Sequence, residues 1–114
     1  MKQDNIITIK VSTDENKMPE KITWQATGST VPNEQLVKAA FVSLWDGTEK
    51  SALRIDLWTN EMMVDEMADF YFQTLMAMAD TYKRATGDNA LTGDMKDFAK
   101  VFYQKYKAKA KDTN

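Results

Sequence analysis

What most constrains this chain is where its two hydrophobic periods lie. Up to residue 59 apolar side chains alternate with polar ones, and from residue 64 they recur every three or four positions. Period two marks a strand with one buried face, and period 3.6 marks a helix with an apolar stripe. A chain with all its strands ahead of its helices cannot wind a parallel βαβ sheet, in which the two alternate. It is directed to the α+β class, with strands joined by hairpins.

The first strand is Ile7, Ile9 and Val11 alternating with Thr8, Lys10 and Ser12. After polar Thr13–Lys17 comes a second, entered through Pro19, with Ile22, Trp24 and Ala26 on one face. Gly28 to Asn33, with Pro32 inside, reads as a loop. Residues 34–45 fit two descriptions. Leu36, Ala40 and Leu44 have helical spacing, while Ala40, Val42 and Leu44 equally line a strand with Phe41, Ser43 and Trp45 opposite. Context favours the strand. The hairpin signal Asp46-Gly47 follows, and then Leu53, Ile55 and Leu57 alternate with Arg54, Asp56 and Trp58. Residues 36–45 should therefore pair antiparallel with 50–58.

The helical half opens with the stripe Val64, Met67, Ala68, Tyr71, Leu75, Met78, Ala79 and Tyr82, which predicts one long helix with this face toward the core. Asp65 and Glu66 in its first turn and Lys83 and Arg84 in its last match the helix dipole, and Gly87 ends it. A second helix, with Asn89 or Thr92 as N-cap, carries Leu91, Met95, Phe98 and Phe102. The expected fold is a four-stranded antiparallel β-meander with one face covered by two C-terminal α-helices. Residues 1–104 form a single α+β domain, and 105–114 form a Lys-rich tail.

Composition narrows the chemistry. The 114 residues include no cysteine and no histidine. That removes disulfides, thiol nucleophiles, Ser-His systems and imidazole or thiolate metal sites. No phosphate loop, dinucleotide fingerprint or EF-hand spacing is present. Mean hydropathy is -0.53, and no long apolar run suggests a membrane span. The opening residues lack the apolar core of a signal peptide, so a cytoplasmic protein is expected. The net charge of -2 is unevenly spread. Residues 56–94 carry two basic against eight acidic side chains, and 95–114 six against two. The acidic middle and the lack of arginine at the basic end argue against a nucleic-acid partner.

The runs Leu53-Arg54-Ile55-Asp56-Leu57-Trp58-Thr59 and Val64-Asp65-Glu66-Met67 resemble the gliding-motility-associated GldC family. Gln73-Thr74-Leu75, Asp80-Thr81, Arg84-Ala85-Thr86-Gly87 and Met95-Lys96-Asp97-Phe98 agree downstream. Upstream, so do Pro19-Glu20-Lys21-Ile22-Thr23-Trp24 and Ser43-Leu44-Trp45-Asp46. The resemblance spans about residues 5 to 103 and implies an accessory role in the motility apparatus of gliding bacteria, with protein components of that apparatus as partners. It implies no catalytic residue and no cofactor.

Three groups of side chains are candidate sites. Phe41, Trp45, Arg54, Asp56 and Trp58 fall on the sheet face away from Leu53, Ile55 and Leu57, and Trp and Arg are the types most enriched at binding hot spots. The plainer reading is a local Arg54–Asp56 pair shielded by rings. Phe70, Phe72 and Met76 lie off the main stripe and are candidates for a homo-oligomer contact, a dimer by the simplest symmetry. Asp65, Asp69 and Asp80 could hold a cation or act as acid and base. They read more simply as a solvated face, with Asp80 paired to Arg84 one turn on. No catalytic or metal-ligating residue is assigned. A non-enzymatic protein-binding module is the leading expectation. A small apolar-ligand or lipid carrier and a chaperone-like holder of exported polypeptides are the alternatives.

Overall fold

A computed structural model describes residues 3–28 and 33–112. The loop expected between Gly28 and Asn33 falls mostly on residues 29–32, outside the described residues. The elements run β1 (Ile7–Thr13), β2 (Pro19–Ala26), β3 (Gln35–Val37), β4 (Ala39–Asp46), β5 (Ser51–Trp58), α1 (Val64–Thr86) and α2 (Asn89–Asp112). The chain divides into two compact units between Met62 and Met63, the strands in one and the helices in the other.

The class is α+β and every strand pair is antiparallel. The strands do not form one four-stranded meander, however. They form a three-stranded sheet in the order β1-β2-β3 and a separate two-stranded ribbon, β4-β5. The third strand read from the sequence is indeed extended, and 39–46 pairs with 51–58 across the Asp46-Gly47 turn. It breaks at Lys38, where the chain bends and exchanges one partner for another. Thr59 fixes the break. Its backbone N–H donates to the Lys38 carbonyl at 2.8 Å and its hydroxyl donates to the same oxygen at 3.1 Å. Thr59 is buried, so two bonds shielded from water hold the bend.

The core of the strand unit centres on β2. Ile22 stands opposite Val11 on one side and Val37 on the other. Flanked by both neighbours, it is 0% exposed. The apolar face of β1 has neighbours on one side only, and Ile7, Ile9 and Val11 stay exposed. On the opposite face Thr23 donates its hydroxyl to Glu34 Oε1 at 2.9 Å, and Lys10 Nζ lies 2.7 Å from the same oxygen. The Lys10 bond first, and then the Thr23 bond, hold the Glu34 carboxyl below the ordinary glutamate value. A depressed folded-state pKa gives stability that is full above the unfolded value and is lost as pH falls through the folded one. Glu34→Gln should therefore be less sensitive to acid than wild type. Its melting temperature should fall less between neutral pH and the acid limb, as differential scanning fluorimetry would show. Equal slopes would mean that the carboxylate adds nothing to folding.

In the helical unit α1 and α2 form an antiparallel hairpin. Gly87 ends α1 at φ 73°, with its N–H on the Lys83 carbonyl at 2.7 Å. The cap of α2 is Asp88, and not Asn89 or Thr92 as the sequence suggested. Its carboxylate accepts the Leu91 N–H at 2.9 Å, while Thr92 turns its hydroxyl back to the Asp88 carbonyl. The lysines assigned to a tail, Lys105, Lys107, Lys109 and Lys111, sit on the last turns of α2.

Among the described residues, the buried side chains of the helical unit are small, while Phe72 meets Tyr103 between the helices. They are Ala68, Ala79, Thr92 and Ala99. The stripe expected to face the core is divided: Ala68 and Ala79 are buried and Met67 and Leu75 half-buried. Val64, Tyr71, Met78 and Tyr82 on α1, and Leu91 and Phe98 on α2, are exposed. Small residues let two helices approach closely, and such an approach has no room for a line of large side chains.

Candidate functional site

The β4–β5 ribbon carries the first group of candidates, and its register decides which side chains share a face. Residues directly opposite in an antiparallel pair project to the same side. Trp58 is opposite Ala39, Asp56 opposite Phe41, Arg54 opposite Ser43 and Ala52 opposite Trp45. Phe41, Trp45, Arg54, Asp56 and Trp58 therefore do lie on one face.

Within that face the polar pair is satisfied locally. Arg54 donates from Nη2 to Asp56 Oδ1 at 2.8 Å and from Nε to Oδ2 at 3.2 Å, a two-pronged bond along one edge of β5. The guanidinium carbon lies 5.8 Å from the centre of the Phe41 ring, which is half-buried. A paired, ring-covered cation and anion offer a partner little net charge. The tryptophans are different. Trp45 is 69% exposed and Trp58 55%. Trp45 marks the turn end of the ribbon and Trp58 its base, about 20 Å apart at the strand rise.

The opposite face of the ribbon was expected to be covered. It carries Leu44 with Leu53 and Val42 with Ile55, and of these Leu44, Leu53 and Ile55 are exposed. Because β3 ends at Val37, no third strand of the described residues lies beside this stretch. A two-stranded ribbon with large apolar groups on both faces is marginal on its own in water.

On the helices, Phe72 stacks on Tyr103 with ring centres 4.8 Å apart, so this candidate for self-contact packs inside the hairpin. Met76, one turn on, and Phe70 are half-buried. The carboxylates are also engaged. Asp69 accepts the Tyr103 hydroxyl, which raises the Tyr103 pKa. Asp80 pairs with Lys96 across the hairpin at 2.7 Å, and not with Arg84. That bond lowers its pKa. Among the described residues no three acidic side chains gather as cation ligands. None of their helices is long and apolar enough to cross a membrane. Sequence reasoning missed Tyr103 altogether. Its signal was the run Phe98, Phe102, Tyr103, Tyr106, which places aromatic rings on two adjoining faces of α2.

The arrangement presents flat aromatic surface and internally neutralised charge. A family model for gliding motility-associated GldC-like proteins matches residues 19–108. No curated protein matches the chain, and no solved structure does.

Proposed function

The chain belongs to the GldC-like family of gliding motility-associated proteins, and from that premise we propose that it is a non-enzymatic, protein-binding component of the motility apparatus. One observation carries the reading: two exposed tryptophans terminate one face of a ribbon whose charged pair is already neutralised. Truncating such rings at a protein interface typically costs 2 kcal/mol or more, whereas the residues around them contribute little. The lack of histidine and cysteine supports the non-enzymatic part. So does the engagement of Asp69 and Asp80 in bonds within the hairpin.

The test is quantitative capture from gliding cells with tagged wild type and with Trp45→Ala/Trp58→Ala. A motility component captured in fixed stoichiometry should fall by roughly 30-fold or more with the double variant, the factor that 2 kcal/mol implies. Both rings are exposed, so the variant should fold. Unchanged capture would remove the ribbon face from the interaction. Capture of many unfolded chains without fixed stoichiometry would favour the chaperone-like role instead.

A further inference from the structure

The hairpin has an apolar surface of its own, and its charges are arranged to match a copy of itself. The exposed side of α2 holds two adjoining grooves. One, of about 400 Å³, is lined by Leu75, Tyr82, Leu91, Asp94, Met95 and Phe98. The other, of about 370 Å³, is lined by Phe98, Val101, Phe102, Lys105, Tyr106 and Lys109. They meet at Phe98, which is 62% exposed. Along this surface an acidic residue, Asp94, stands at one end and two lysines, Lys105 and Lys109, at the other. Leu91, Phe98 and Val101 supply the apolar part.

Leu91, Phe98 and Lys105 recur every seven residues, as do Asp94 and Val101. Such a repeat keeps one narrow seam on one side of a helix, the spacing by which helices pack side by side. Pairing two such seams in parallel would set Lys105 on Lys105 and Asp94 on Asp94. Pairing them antiparallel does the reverse. A two-fold axis between Phe98 and Val101 seats each Phe98 on the partner's Val101 and each Asp94 beside the partner's Lys105. An isologous contact needs this self-complementarity. Tyr71, whose ring lies 6.3 Å from that of Phe102, extends the same surface onto α1.

We propose that the Leu91–Phe98–Val101 face of α2 binds a second copy of this chain in an antiparallel, two-fold arrangement held in register by Asp94–Lys105 pairs between the copies. The contact uses residues of the helical unit alone and does not depend on those of the ribbon.

The test uses the full chain. Sedimentation equilibrium across micromolar concentrations should give twice the 13.0 kDa of one chain. Phe98→Glu should return it to one chain while far-UV ellipticity holds. Asp94→Lys alone and Lys105→Asp alone should each weaken the dimer roughly 10-fold, since each replaces two attractions by two repulsions. The double exchange should restore it to within about 3-fold. Zero-length carbodiimide coupling should also link Asp94 to Lys105. Within one helix these residues are about 16 Å apart along the axis, so that linked peptide can arise only between copies. A monomer at every concentration would overturn the proposal. So would a dimer indifferent to Phe98→Glu, or a charge exchange that fails to restore association. In those cases the face belongs to another occupant.

Discussion

Ile22→Ala is expected to destabilise the strand unit by about 2–5 kcal/mol, the range for deleting a large buried aliphatic side chain. The reason is local scarcity. Among the described residues Ile22 is the one large side chain that is fully buried. It stands between Val11 and Val37 and so joins the apolar face of all three strands of the first sheet. Other apolar groups nearby are exposed or half-buried and cannot close over the cavity. A domain stable by 5–15 kcal/mol in all would lose a large share of that. The measurement is convenient because Trp24, Trp45 and Trp58 all lie on strands, so tryptophan fluorescence reports this unit. With m of about 1–1.5 kcal/mol/M, the urea midpoint should fall by roughly 2 M or more. A shift below about 0.5 M would mean that Ile22 is not the centre of the core.

Much of the strand half was legible because alternation is a strong signal where each strand keeps one neighbour along its length. The Asp46-Gly47 turn and the pairing across it followed from turn chemistry, and so did the shared face of Phe41, Trp45, Arg54, Asp56 and Trp58. The break at Lys38 was not legible. No glycine or proline marks it, because its cause is a long-range pair of bonds from Thr59 to one carbonyl. Periodicity carries no trace of which of two partners a strand will hold. A smooth run of ten residues, 36–45, therefore read as one strand when it serves two sheets.

The ends of α1 were legible, the cap and last turns of α2 were not, and the buried face was legible only in part. Helix ends are local, and Gly87 and the acidic first turn of α1 announced them. The choice of buried face is not local. The stripe read from spacing included Ala68 and Ala79, which are buried, but also Val64, Tyr71, Met78 and Tyr82, which are exposed. Two helices in close contact select small residues at the crossing and send the large ones to its flanks. The candidates Phe70, Phe72 and Met76 lie off that stripe and are half-buried. Of these, Phe72 stacks on Tyr103 of α2.

Small buried residues in both helices make Ala99→Leu the decisive substitution in the helical unit. Ala99 is 0% exposed. It lies three residues after Lys96 and four before Tyr103, on the side of α2 that carries both contacts to α1, the Asp80 pair and the Phe72 stack. Leucine is nearly as good a helix former as alanine, so intrinsic propensity changes by a few tenths of a kcal/mol at most. Three added carbons at a close crossing must instead push the helices apart or force strained rotamers, at a cost of about 1–3 kcal/mol. Separation would also stretch the Lys96–Asp80 and Tyr103–Asp69 bonds, which lie on either side of position 99, so the upper end of that range is expected. Ellipticity at 222 nm reports the helical unit, and its urea transition should move to lower concentration by roughly 1–2 M. Phe98→Leu, one position earlier on the exposed side, serves as the control and should stay within about 0.5 kcal/mol in the monomer. If Ala99→Leu is neutral or stabilising, the seam has room for a large side chain. The inward face of α2 would then have to be sought again among Leu91, Met95, Phe98 and Phe102.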